Sequence, residues 1–280
     1  SNLSLGIVHR FIPKFFDIGG KGTGNINLKG TLEKTEFNYN LNVSDATFDL
    51  ISLGNVSSKG SYDGKSLYVS YAKSESKEGE ISASGYLPFD LNIGSPNFSK
   101  MYENDNINFV ANADIRSLPF LSPYIDDLDS AEGNFIIELS LSGIANDIIR
   151  NGNIKIHNGK LHTLLFTDPI ESINGGAVMV NNQLIISNLD FLLFNTSGSS
   201  TKPPDKNTFV EGALDFSKFF DPVYDIKIKS VNASYKLLFL DIYGESDLDL
   251  TISGRDTVLI AGRIETQKAN VFYEFNTEDV

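Results

Sequence analysis

An all-β fold is what this sequence predicts: an elongated, curled, U-shaped sheet of repeated antiparallel-type strands with an apolar concave face and few short helices. Three observations predict it. Apolar and polar residues alternate with period 2 along most of the chain, as in strands with one wet face. Asp-Gly and Asn-Asn pairs separate these runs, where hairpins need positive φ. A glycine-bounded segment occurs at Gly20–Gly30, Gly133–Gly143 and Gly244–Gly254, the copies about 110 residues apart and aligning without a gap.

The repeat divides the chain. Residues 1–19 read as the end of a preceding module with a short helix over 6–16. Residues 20–132 form module 1, 133–243 module 2 and 244–280 the start of module 3, all in one continuous elongated sheet. Further short helices are expected over 119–127 and 235–240, each just ahead of a repeated glycine segment. Hairpin turns are expected at Asp63-Gly64, Asn181-Asn182 and Asn158-Gly159. Ile81–Leu91 and Phe209–Phe216 form a second repeated element, with Gly85 matching Gly212. The polar loop 195–207 lengthens that interval and is expected to be sensitive to proteases.

Taken in register, the three glycine segments place Gly24, Ile137 and Leu248 at one position. Ile26, Leu139 and Leu250 share the next even position, and Leu28, Leu141 and Ile252 the one after. The intervening odd positions are polar or charged: Asn25, Glu138 and Asp249, then Asn27, Ser140 and Thr251. A period of 2 puts these sets on opposite faces. Alternation adds Leu41, Val43, Phe135, Ile154, Ile156, Leu184, Ile186, Phe191 and Leu193 to the residues expected to line the apolar face. Gly30, Gly143 and Gly254 continue the apolar phase and are expected to bend the sheet around it. If the curled faces meet, these residues make a dry core; if they stay apart, they line a groove.

Composition excludes several function classes. A net charge of −13 provides no basic footprint for nucleic acid and no polybasic patch for anionic headgroups. With no cysteine there is no disulfide, thiolate zinc site or cysteine nucleophile. No apolar run is long enough to span a membrane. His157 and His162 lack a third ligand, and Asp126–Asp129 lacks the oxygen spacing of a calcium loop. Gly19–Gly24 lacks the Gly-Lys-Ser/Thr ending of a phosphate loop and runs into a strand. No nucleophile–base–acid set is visible, so no enzyme, cofactor or metal is expected. The start at Ser1, without Met, reads as an internal piece of a longer protein.

Several of these stretches resemble one family. Ile-Ser-Ala-Ser-Gly-Tyr-Leu-Pro-Phe-Asp-Leu over 81–91, the run Gly133–Leu161 and Gly176–Leu193 are similar to phrases of TamB-like proteins in the AsmA-like superfamily. The likeness extends from about Gly20 to Gly262 and rests on the order and repetition of degenerate motifs. It departs where such modules often carry a proline: Asn151 stands there, and 255–259 has none. The family's N-terminal anchor and C-terminal barrel-engaging domain are not recognisable.

The resemblance implies a curled β-sheet, a β-taco, whose groove conducts phospholipid acyl chains between inner and outer membranes. It implies the periplasm of a Gram-negative-type bacterium, with the full-length protein anchored in the inner membrane. It also implies an outer-membrane β-barrel partner engaged through parts not present here. The expected function is therefore bridge-like lipid transport contributing to outer-membrane biogenesis. The alternatives are an outer-membrane protein assembly scaffold acting by β-augmentation, and a surface β-solenoid or adhesin stalk.

Overall fold

The structure, a computed structural model, describes residues 3–4, 18–48, 51–118, 128–164, 166–194, 206–218, 221–237, 242–255 and 257–271. Among the described residues there are fifteen strands and no helix. The first seven are β1 (Leu3–Ser4), β2 (Ile18–Gly30), β3 (Thr35–Phe48), β4 (Ile51–Tyr62), β5 (Leu67–Ser76), β6 (Gly79–Leu87) and β7 (Asn106–Ser117). Then follow β8 (Leu128–Ile144), β9 (Asp147–Thr163), β10 (Ile170–Val180), β11 (Gln183–Leu192), β12 (Thr208–Asp215), β13 (Val223–Leu237), β14 (Ile242–Gly254) and β15 (Val258–Val271). Strands neighbour one another in chain order. The pairs with a defined register are antiparallel, as hairpin connections require. The all-β class read from the alternation is the class observed.

The chain forms two compact units, Ser1–Arg116 with Ile136–Asn153, and Ser117–Phe135 with Ile154–Val280. In the first unit, β2 to β7 pair successively, and registered residues share a face. Segment 88–105 folds back over the turns of β2–β3 and β4–β5. Asn92 is its hub: its side-chain oxygen accepts from the Thr35 amide at 2.8 Å, and its Nδ2 donates to the Gly64 carbonyl at 3.0 Å. The Leu91 amide donates to the Tyr62 hydroxyl at 2.9 Å, while the Tyr62 ring stacks on Phe37 with centroids 5.3 Å apart. Tyr62 is buried, and burial first, then the neighbouring Tyr102, Asp90 and Asp63, pushes its phenol up to about 12 against the Leu91 hydrogen bond.

In the second unit, β10 to β15 pair successively. A second buried amide, Asn207, ties β11, β12 and β13 together. Its Oδ1 accepts from the Leu193 amide at 2.9 Å, and its Nδ2 donates to the carbonyls of Leu193 and Asn232. Beside it the Thr208 and Ser230 hydroxyls pair at 2.9 Å, both buried. This satisfied network lies at the end of the loop expected to be open to proteases; residues 195–205 are outside the described residues.

Three local expectations need correction. The helix expected over 235–240 is, as far as Leu237, the end of β13, held by pairing of Tyr235 with Gly244. The helices expected over 6–16 and 119–127 fall outside the described residues. Asn158-Gly159 is not a turn but a kink inside β9: Asn158 adopts φ 50° and its amide donates to Asn174 Oδ1 at 2.9 Å. A side chain cannot replace Gly159 cheaply, because an added Cβ would lie 2.9 Å from the Ile173 side chain. The turns at Asp63-Gly64 and Asn181-Asn182 form as expected. Asp63 Oδ1 accepts from the amides of Lys65 and Ser66, and both asparagines take positive φ.

Candidate functional site: an apolar sheet face

Registers convert the alternation into rows that cross the strands. In the second unit one row runs Ala177, Ile186, Gly212, Ile226, Ile252 and Ile260, across six strands. Its neighbour runs Met179, Leu184, Leu214, Tyr224, Gly254 and Val258. On the other side lie Leu189, Val210, Ile228, Leu250 and Gly262, then Phe191, Thr208, Ser230, Leu248 and Ile264. Apart from Thr208 and Ser230 at one end, the face is apolar. Ile186, Ile226, Ile228, Leu250 and Ile252 are half-buried by their strand neighbours and none is fully covered. Ile260 and Ile264, on β15, are exposed.

The first unit carries the same phase with smaller side chains. Gly24, Leu41, Ser58, Ala72, Ala83 and Ala111 form one row. The rows that flank it mix large and small residues: Ile26, Tyr39, Gly60, Val69, Gly85 and Phe109 on one side, and Gly22, Val43, Val56, Ser74, Ile81 and Ala113 on the other. Alternate rows on one face lie about 7 Å apart along the strand. Tyr39 lies over Gly60, where an added Cβ would come within 2.7 Å of its ring, and its hydroxyl meets Ser58 Oγ at 3.4 Å. In the second unit Tyr235 covers Gly244 in the same way and meets Ser246 Oγ at 3.2 Å. Aromatic rings filling the holes left by strand glycines keep the face even.

The expected lining residues fall into three groups. Leu41, Val43, Ile137, Leu139, Leu141, Ile154, Ile156, Leu184, Ile186, Phe191, Leu248, Leu250 and Ile252 are half-buried. Ile26 and Leu28 are exposed. Phe135 and Leu193 are buried, Phe135 to 5 % exposure, and belong to the packed part of the second unit. Gly30, Gly143 and Gly254 all take positive φ, but they stand at or next to the ends of β2, β8 and β14, at the mouths of hairpins. Gly133, Gly175 and Gly262 take positive φ within strands, as do the two matched positions of the second repeated element, Gly85 and Gly212, at φ 135° and 144°. At each of these two, an added Cβ would strike the carbonyl oxygen of the facing strand, Asn108 for Gly85 and Asp225 for Gly212. The second repeated element therefore recurs as local geometry as well as sequence.

Sequence reasoning missed that the opposite face is not uniformly polar. Val178 and Ile185 are registered there with Ala213, and all three face away from the Met179–Leu184–Leu214 row. A departure from alternation at Ala177–Val180 was the available signal. Among the described residues there is no group of acidic or histidine side chains arranged to hold a metal, and no helix long and apolar enough to cross a membrane.

The fold and the face define a class: an antiparallel sheet in chain order that carries a continuous apolar surface on one side of each unit. Beyond the class, no protein-family model matches the chain, and no curated protein or solved structure is significantly similar to it.

Proposed function

We propose that the apolar face conducts phospholipid acyl chains between the inner and outer membranes of a Gram-negative-type envelope, contributing to outer-membrane biogenesis. The observation that carries this reading is the row Ala177–Ile260, apolar across six registered strands, with Ile186, Ile226 and Ile252 only partly buried and Ile260 exposed. Exposed apolar surface of that extent is costly unless something covers it. Each acyl methylene that leaves water contributes about 0.8 kcal/mol when fully buried and about half that on an open face. A row of similar aliphatic groups gives no position a large preference, so a chain can slide. The resemblance to TamB-like sequences supplies the envelope setting and the barrel partner in this proposal.

Site-specific photocrosslinking tests it. A photoreactive residue at Leu139 or Leu250 should yield phospholipid adducts, and one at Ser140 or Thr251 should not. Adducts at neither pair, or equally at both, would refute the reading.

A further inference from the structure

The polar face of the first unit carries an ordered surface of its own. Asn27, Asn38, Ser61, Tyr68, Tyr86 and Asn108 are directly registered in one row across β2 to β7. Five strand intervals of about 4.8 Å make this row roughly 24 Å long. It contains no charged residue. Asn27, Asn38 and Asn108 are exposed, and their carboxamides make no hydrogen bond within the chain. Each therefore offers a free donor and a free acceptor. The Tyr68 and Tyr86 rings lie 5.8 Å apart, tilted by 41°, with Tyr68 41 % exposed. Tyr71, one row away, is 43 % exposed.

The same face is indented. A groove of about 410 Å³ is lined by Thr23, Asn42, Ser57 and Lys73, which are themselves registered two rows away. Lys73 is neutralised there by Glu75 at 2.6 Å and Glu80 at 3.2 Å.

These observations select a chemistry. The flanking rows on this face carry both signs, Lys59 on one side and Lys29, Glu36 and Asp63 on the other, with Asp63 accepting from the Tyr68 hydroxyl, so they favour neither a polyanion nor a polycation. The protein's net charge of −13 further repels a polyanion. What complements free carboxamides and tilted, exposed tyrosines is an uncharged chain with many hydroxyls and apolar C–H faces. The spacing between strands is close to the length of one pyranose ring, so successive sugars can meet successive strands. We infer that the polar face of β2–β7 binds an uncharged linear polysaccharide lying across the strands, on the order of five sugars per site. Tyr68 and Tyr86 stack on sugar faces, and the asparagines bond to hydroxyls or N-acetyl groups. This inference does not rest on the lipid reading, which concerns the opposite face.

NMR titration of the full chain with the hexasaccharides of β-1,4-linked glucose and N-acetylglucosamine tests it, with an oligomer of a uronic acid as the charged comparison. A neutral hexasaccharide should shift the side-chain amide signals of Asn27, Asn38 and Asn108. Tyr68→Ala with Tyr86→Ala should weaken binding about tenfold or more, whereas Leu184→Ser on the apolar face should leave it unchanged. Conservative Tyr68→Phe keeps the ring and should retain most of the affinity. No shift with either neutral sugar at millimolar concentration would overturn the inference. So would tighter binding of the uronate, or amide shifts that depend only on protein concentration, which would mark self-association of this face.

Discussion

Replacing Ile252 by alanine distinguishes an open face from a packed core. Ile252 is registered between Ile226 and Ile260 and is half-buried. The substitution removes three carbon groups, worth about 2.4 kcal/mol if all were fully buried. If the face is open, these outermost atoms are covered only by their strand neighbours, and about half of that applies. No enclosed cavity forms, so the cavity term is absent. The expected loss is about 1.2 kcal/mol, with cross-strand pairing adding a few tenths. Phe135→Ala is the internal standard: Phe135 is 5 % exposed, and truncation should cost about 3–5 kcal/mol. Urea unfolding followed by tyrosine fluorescence measures both, with equal slopes required for comparison. A loss of about 3 kcal/mol or more for Ile252→Ala would mean that the face is a core, and the account of it as a lipid surface would fail.

Three further outcomes follow from the geometry. Gly212→Ala and Gly85→Ala each force a side chain into positive φ and against a backbone carbonyl, so each should destabilise by at least about 2 kcal/mol in the same unfolding assay, while Ala83→Gly costs no more than about 1. Gly244→Ala meets only the Tyr235 ring, with an added Cβ 2.8 Å from it; it should displace the ring, break the contact with Ser246 and cost about 1–2 kcal/mol, with a matching change in the Tyr235 NMR signals. Asp90 is buried, which alone would raise its pKa, but donors from Ser95 and Asn92 prevail and hold it below the usual carboxylate value. Its contribution is therefore complete above the unfolded value of about 3.9 and is lost as pH falls through the lower folded value. Asp90→Asn should flatten that acid limb of the stability profile; an unchanged limb would show that Asp90 is not its source.

Much of the sheet was legible because its strands have one wet face. The phase of Leu248, Leu250 and Ile252 against Asp249 and Thr251 is visible from residue type alone, and the registers reproduce it. Asn181-Asn182 was legible because a two-residue hairpin demands positive φ at both positions. Tyr235 was not, since its aromatic neighbours suit a helix as well as a strand. What decides is Gly244 across the pair, roughly ten residues away in sequence. The buried amides Asn92 and Asn207 were invisible for a related reason: an asparagine in a polar loop looks solvated until distant carbonyls surround it. At the candidate site, the choice between dry core and open face depends on what covers the rows. Alternation does not encode that, and the intermediate burial of Ile226, Leu250 and Ile252 suits either, which is why the Ile252→Ala measurement decides. The small-residue row depended on registers, because Gly24, Ser58, Ala72, Ala83 and Ala111 come from five strands and no local pattern aligns them.

The central claim is direct contact between acyl chains and the apolar face. Isotope-filtered NMR on the methyl-labelled protein, loaded with an ordinary phospholipid, measures that contact atom by atom. The account predicts nuclear Overhauser effects from acyl methylenes to the methyl groups of Ile226, Leu250 and Ile252, and none to the Thr251 methyl. Effects confined to Thr251 and its face, or none at any of the four in a sample that retains bound lipid, would contradict it.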